Sequence, residues 1–162
     1  MYVPTMQLAS FDHLSLNRRM ICLRAFMEAL CITNLQWLTE NPGTPKFYHV
    51  RPRYLLKTHP KVNQPSSGSV ITFNMDSWQD IPQTIQLGTG DCKDFACWRV
   101  AEMRMLGVPD VAPYIKVSQI KNLTLYHIVV RIGLQEEDPS EAMGMPDNVT
   151  YDDIMNGVYE HG

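Results

Sequence analysis

A thiol attacks a carbonyl when an imidazole can exchange protons with it and a third group orients that imidazole. In this chain of 162 residues, Cys92, His127 and Asp138 could form such a set. Cys92 lies in Gly88-Thr89-Gly90-Asp91-Cys92-Lys93-Asp94-Phe95-Ala96. Asp91 is a good N-cap, and Asp94 completes an approximate capping box, so Cys92 is expected at the first position of a helix. There, unpaired backbone N–H groups and the positive end of the helix dipole favour thiolate over thiol. The two glycines are expected to relax the backbone beside the sulfur and leave room for a substrate carbonyl.

The other two members come from strand arithmetic. A hairpin turning on Ile132-Gly133 sets Arg131 opposite Leu134, Val129 opposite Glu136 and His127 opposite Asp138. Directly opposed side chains stand about 5 Å apart at Cβ, within reach of an imidazole–carboxylate hydrogen bond. A slip in the turn would break that pairing. Singly, each residue has an ordinary role: an inert cysteine, a half-buried strand histidine, an Asp-Pro turn. Together they point to nucleophilic catalysis.

An acyl-transfer site also needs donors for the developing oxyanion. The backbone N–H of Cys92 is one, and Gln86 is a side-chain candidate, with Gln83 and the indole N–H of Trp78 competing. A zinc site from Cys92, Cys97 and His127 is disfavoured, because five residues of separation put the two thiols on different sides of a helix. No cofactor or metal is called for. Asp94, Arg99, His13, His49, His59 and His161 have no partner that the sequence identifies, and are read as structural or solvated.

Several elements must position these groups. From Leu16 to Glu40, apolar residues recur at spacings near three and four, and Asn41-Pro42-Gly43 supplies a stop, which predicts a long helix. Ile21, Phe26, Ile32 and Trp37 widen its apolar surface beyond one stripe. Residues 43–69 read as a proline-rich, basic connection. Val70–Phe73 is a short strand, and 76–82 a turn-rich approach to the cysteine. The Cys92 helix should run to Leu106, with Phe95, Ala96, Val100, Met103 and Leu106 buried and Gly107 as its stop. Tyr114–Val117 and Leu125–Ile132 are strands, the second ended by Pro139 after its return.

Length fits one domain, divided into an arm (1–14), the long helix (15–42), the connection (43–69), a core (70–145) and an acidic tail (146–162). With 44% hydrophobic and 19% charged residues and a net charge of −3, nothing points to nucleic acid or a membrane. Met1-Tyr2-Val3-Pro4 is not the start of a secretory signal, and Met20–Leu38 carries Arg24 and Glu28, so a cytoplasmic chain is expected. Cys92 and Cys97 on one helix would stand roughly 8 Å apart at Cα, too far for a disulfide, and free thiols are expected. Lys46, Arg51, Arg53, Lys57 and Lys61 form a basic run, while no Lys or Arg follows Arg131 and eight acidic residues do. These are either solvated faces or complementary surfaces for neighbouring subunits.

Trp78-x-Asp80-Ile81-Pro82, Gly88-x-Gly90-Asp91-Cys92-x-Asp94-x-Ala96, Arg99-Val100-Ala101-Glu102-x-Arg104-x-x-Gly107, Tyr126-His127 and Asp138-Pro139-Ser140 resemble the transglutaminase-like cysteine-enzyme superfamily. They are most similar to its small members carried by bacteriophages and other bacterial mobile elements. The resemblance covers about residues 78–145. It implies an α+β, papain-like fold in which a cysteine-bearing helix packs on an antiparallel sheet that carries the histidine and aspartate. It also implies Cys92 as nucleophile, His127 as general base and acid, Asp138 as orienting carboxylate, and a peptide or protein substrate cleaved or rearranged at an amide bond. Some members of the superfamily have lost catalysis and serve as structural or binding modules. The alternative reading is therefore a virion or assembly component, made in a host cytoplasm and carried in a particle with other subunits as partners.

Overall fold

The computed structural model describes residues 14–55, 60–62, 71–73, 78–120 and 123–147. The arm up to residue 13, the Ser/Pro-rich segment 63–70, residues 74–77 and the acidic tail from residue 148 lie outside them, as do His13, His59 and His161. Helix α1 is Leu16–Glu40, with the Ser15 side chain accepting from Arg18 N at its start. Its end is closed by the Asn41 N–H returning to the Trp37 carbonyl at 2.9 Å. Leu23, Met27, Leu30, Cys31, Asn34 and Leu38 are buried along one side. Ile21 and Ile32 face outward, 64% and 57% exposed, so part of the wide apolar surface lies outside the core.

The buried side of α1 packs on α4, Cys92–Met105, which is the centre of the fold. Phe95, Ala96, Cys97, Trp98, Val100 and Ala101 are wholly buried, more of the helix than one apolar stripe predicts, because α4 is covered on several sides, whereas Leu106, expected in the stripe, caps the helix end and is 70% exposed. Arg104 ties the two helices together, forking onto Glu28 at 2.6 and 3.0 Å. Against α4 lies an antiparallel sheet of β5 (Val111–Ile120), β6 (Leu123–Ile132) and β7 (Gln135–Glu137), in the order β5-β6-β7. β5 is longer than expected. Pro113 sits inside it without breaking it, since an edge strand has a side that needs no ladder donor.

The proline-rich connection holds more order than its composition suggests. It contains a short helix α2 (Phe47–Val50) and a two-residue strand β1 (Arg53–Tyr54), and β1 pairs in parallel with β4 (Thr89–Gly90) just before Cys92. Phe47 anchors α2 in a second core cluster, edge-on to Phe95 and Trp98 at 5.2 and 5.3 Å between ring centroids. The strand expected at 70–73 is β3 (Ile71–Phe73), paired antiparallel with β2 (Pro60–Val62). The turn-rich approach expected over 76–82 gives way at its last two residues to helix α3, Ile81–Leu87. Asp80 caps it by accepting from Gln83 N at 3.0 Å, and Pro82 sits in the first turn, where its missing N–H costs nothing. The last described helix, α5, is Pro139–Ala142.

Candidate active site

The turn before Cys92 is held by backbone and carboxylates together. Arg53 N–H donates to the Gly88 carbonyl at 2.9 Å and Leu55 N–H to the Gly90 carbonyl at 2.8 Å. The capping box forms with both its halves: Asp91 accepts from Lys93 N at 3.2 Å, and Asp94 accepts from Asp91 N at 3.1 Å. Asp94 is not a solvated residue. Its other oxygen accepts from Gln79 N at 2.9 Å, so one buried carboxylate joins the helix start to the segment ahead of α3. Gly90 is needed for a reason other than substrate access: a Cβ there would run into the Phe95 ring, which is itself wholly buried.

Lys93 is the residue that sequence reasoning missed most completely. It points inward, is 4% exposed, pairs with Asp91, and lies 3.7 Å from Asp94 and 5.5 Å above the centre of the Trp78 ring. A lysine between two aspartates in sequence looks solvated, so no local signal marks it.

Cys92 is partly buried against the cluster formed by α1, α4 and the sheet. Burial pushes its thiol up to about 12, and the Asp91 carboxylate pushes the same way. Lys93 and a hydrogen bond from the Ile128 backbone N–H pull down, Asp94 pushes up again, and the net effect is a neutral thiol. The expected thiolate is therefore overturned. A helix terminus contributes about 0.3–1 kcal/mol in favour of an anion, and here desolvation and two carboxylates outweigh it.

The Ile128 contact shows where the sulfur sits. β7 pairs only with Val130, Arg131 and Ile132, so from Val129 toward Leu123 that edge of β6 has no strand beside it among the described residues. The Ile128 N–H that favours the Cys92 thiolate belongs to this stretch, one residue after His127.

His127 Nε2 stands 2.6 Å from Asp138 Oδ2. The two meet, but not by the expected register. The hairpin turns on Gly133-Leu134, with Ile132 opposite Gln135, Arg131 opposite Glu136 and Val130 opposite Glu137. Continued by one residue, this register puts Asp138 across from Val129 and makes His127 its diagonal neighbour on the same face, still within reach. The hydrogen bond survives because Asp138 leaves the strand and caps α5. Its Oδ1 accepts from Ser140 N at 3.0 Å and Glu141 N at 3.3 Å, which aims Oδ2 at the imidazole. Burial disfavours the charged carboxylate, but His127 and these N–H groups outweigh it and hold Asp138 below its ordinary range. An ionised Asp138 accepts, so Nε2 is the donor, and in the tautomer this selects the lone pair falls on Nδ1.

No protein-family profile, characterised protein or solved structure matches this chain.

Gln86 is exposed on α3. The Trp78 indole nitrogen, in contrast, is buried without a hydrogen-bond partner among the described residues, and Trp78 packs against the same cluster as Cys92. Cys97 faces the Met27 carbonyl at 3.5 Å inside the α1–α4 core, so it shares no site with Cys92. Among the described residues, no three of His, Cys, Asp and Glu gather closely enough to hold a metal ion. Their four cysteines are free thiols.

Proposed function

We propose that this chain is a cysteine-dependent acyl-transfer enzyme acting on amide bonds, with Cys92 as nucleophile, His127 as base and then acid, and Asp138 as the carboxylate that orients the ring. The observation that carries this reading is the 2.6 Å His127–Asp138 hydrogen bond on the strand whose next N–H meets the Cys92 sulfur. A cysteine helix packed on an antiparallel sheet that bears the histidine, with the aspartate just past the sheet's last pair, is in keeping with the transglutaminase-like, papain-like reading of the motifs; the phage-borne origin rests on the motifs alone.

The neutral thiol shapes the mechanism. Nδ1 of His127 takes the thiol proton as sulfur attacks the amide carbonyl, so charge separates only in the transition state. The tetrahedral oxyanion lies near the Cys92 N–H, with the exposed Gln86 and the buried Trp78 indole N–H as the side-chain candidates for a second donor. Collapse transfers the imidazolium proton to the departing amine and leaves a thioester on Cys92. Water gives hydrolysis, whereas an amine gives a new amide and transglutamination. Either acceptor loses its proton to His127.

The second reading is a virion or assembly protein that keeps the fold as a binding module. The packing of Cys92 against the core cluster, which leaves its sulfur only partly open, is the observation in its favour. Alkylation of Cys92 as a function of pH, read by peptide mass spectrometry, separates the two. In the enzyme, alkylation near neutral pH is faster than in His127→Ala by about a hundredfold, the scale of general-base assistance. A thiol indifferent to His127 would leave the binding module standing.

A further inference from the structure

We propose that Arg99, two turns along α4 from Cys92, is a positioning residue: its grip on Glu137 turns the neighbouring Asp138 toward His127. The inference rests on the proposed role of Asp138 in orienting the imidazole.

Asp138 has little to hold it through the sheet. β7 is three residues long and its last pair is Val130–Glu137, so Asp138 lies just past the end of the ladder. The next element, α5, is only four residues long. Besides the two α5 N–H groups that donate to Oδ1, a second anchor comes from the side chain one residue earlier. Glu137 Oε1 accepts from Arg99 Nε at 2.7 Å and from the Tyr48 hydroxyl at 2.7 Å, and its Oε2 lies 3.3 Å from a second Arg99 nitrogen. Arg99 is fixed in turn. It pairs with Glu102, which is 1% exposed and accepts from Phe47 N at 2.7 Å and from the Trp98 indole at 3.0 Å. The Arg99 guanidinium also lies over the Tyr48 ring, 4.8 Å from its centre.

Strand alternation converts this anchor into an orientation. Successive side chains of an extended chain point to opposite faces. Glu137 shares the face of Val130, which packs toward α4, and Asp138 therefore takes the face of Val129 and His127. Pulling Glu137 onto α4 presents Asp138 to the imidazole. Cys92 and Arg99 are seven positions apart, so they lie on the same side of one helix, about 10 Å apart along its axis. One rigid element thus carries the nucleophile and the fastening of the carboxylate that serves it.

An ion-pair network that only stabilises the fold would contain the same contacts, so the test must read the imidazole. The pH profile of Cys92 alkylation is measured in wild type, Arg99→Met, Arg99→Lys, Glu137→Gln and Tyr48→Phe, with Asp138→Asn as reference and thermal melting as the check on folding. The expected result is a fall of about tenfold near neutral pH in Arg99→Met and Glu137→Gln, a smaller fall in Tyr48→Phe, and a profile displaced toward that of Asp138→Asn. Arg99→Lys keeps the charge without the fork and recovers part of the loss. If Arg99→Met does not fold, Glu137→Gln and Tyr48→Phe decide. Folded variants whose profiles superimpose on wild type while Asp138→Asn departs from it would overturn the positioning role and leave the enzyme reading intact. A reference variant, Asp138→Asn, that itself matches wild type would overturn both.

Discussion

Cys92 shows how a favourable local motif loses to its surroundings. The capping box puts the sulfur at a helix start, and the same two carboxylates that build the box, Asp91 and Asp94, oppose its ionisation. Lys93 offsets them, so Lys93→Met should slow Cys92 alkylation further. It should also destabilise the fold by about 3–5 kcal/mol in urea titration, because two buried carboxylates lose their cation. Replacing the reacting groups should do the reverse. Cys92→Ser and His127→Ala are expected to abolish acyl transfer with little change in stability, while Asp138→Ala leaves a residual rate. The raised thiol has its own signature. The folded group stays protonated to about 12, and an unfolded thiol ionises near about 8.5, so its contribution is complete below that value and is lost as pH rises through this window. Cys92→Ser should remove that alkaline slope from the urea midpoint. Gly90→Ala should cost about 1–3 kcal/mol in the same assay, since the Phe95 ring has nowhere to move.

The elements around the site lean on one another through single polar residues. Asn34, buried in the middle of α1, accepts from Ile81 N at 3.0 Å and so satisfies the first turn of α3. Asn34→Leu would strand that N–H, and the expected loss is about 1–3 kcal/mol of unfolding free energy. The hairpin makes a different point. Gly133 adopts a positive φ of 57°, and placing it first in the turn with Leu134 shifts every cross-strand pair relative to a turn on Ile132-Gly133. Leu134 is left fully exposed at the tip, while Glu136 meets both Arg131 and Lys116, at 2.9 and 2.6 Å. Side-chain pairing along β5, β6 and β7 chose this register.

Across the whole molecule, charge is used internally more than its distribution along the chain suggests. Glu136, Glu137 and Asp138 open the acidic end, yet Lys116, Arg131, Arg99, Tyr48 and His127 all engage them within the chain. These three residues therefore do not form a free acidic surface for a neighbouring subunit. Glu137 and Asp138 are held below their ordinary range despite burial, so their contribution is present above about pH 4 and is lost as pH falls through the depressed values. Acid unfolding followed by circular dichroism should show this loss, and Asp138→Asn should make the curve shallower. Among the described residues, no helix is long and apolar enough to cross a membrane.

Elements with a local cause were legible from residue order alone. Helix α1 needs only its periodic apolar side and the Asn-Pro-Gly stop, α4 only its capping box and Gly107, and β6 only its run of β-branched and aromatic residues. His127 and Asp138 were paired correctly for a reason that proved incomplete, since helix capping and not direct opposition aims the carboxylate. Contacts between distant segments had no such trace. Lys93 turns inward because Asp91, Asp94 and Trp78 surround it, the thiol stays neutral because the core desolvates it, and Arg99 finds Glu137 across 38 residues of chain. Burial and long-range charge pairing depend on which segments fold against α4, and only the tertiary structure decides that.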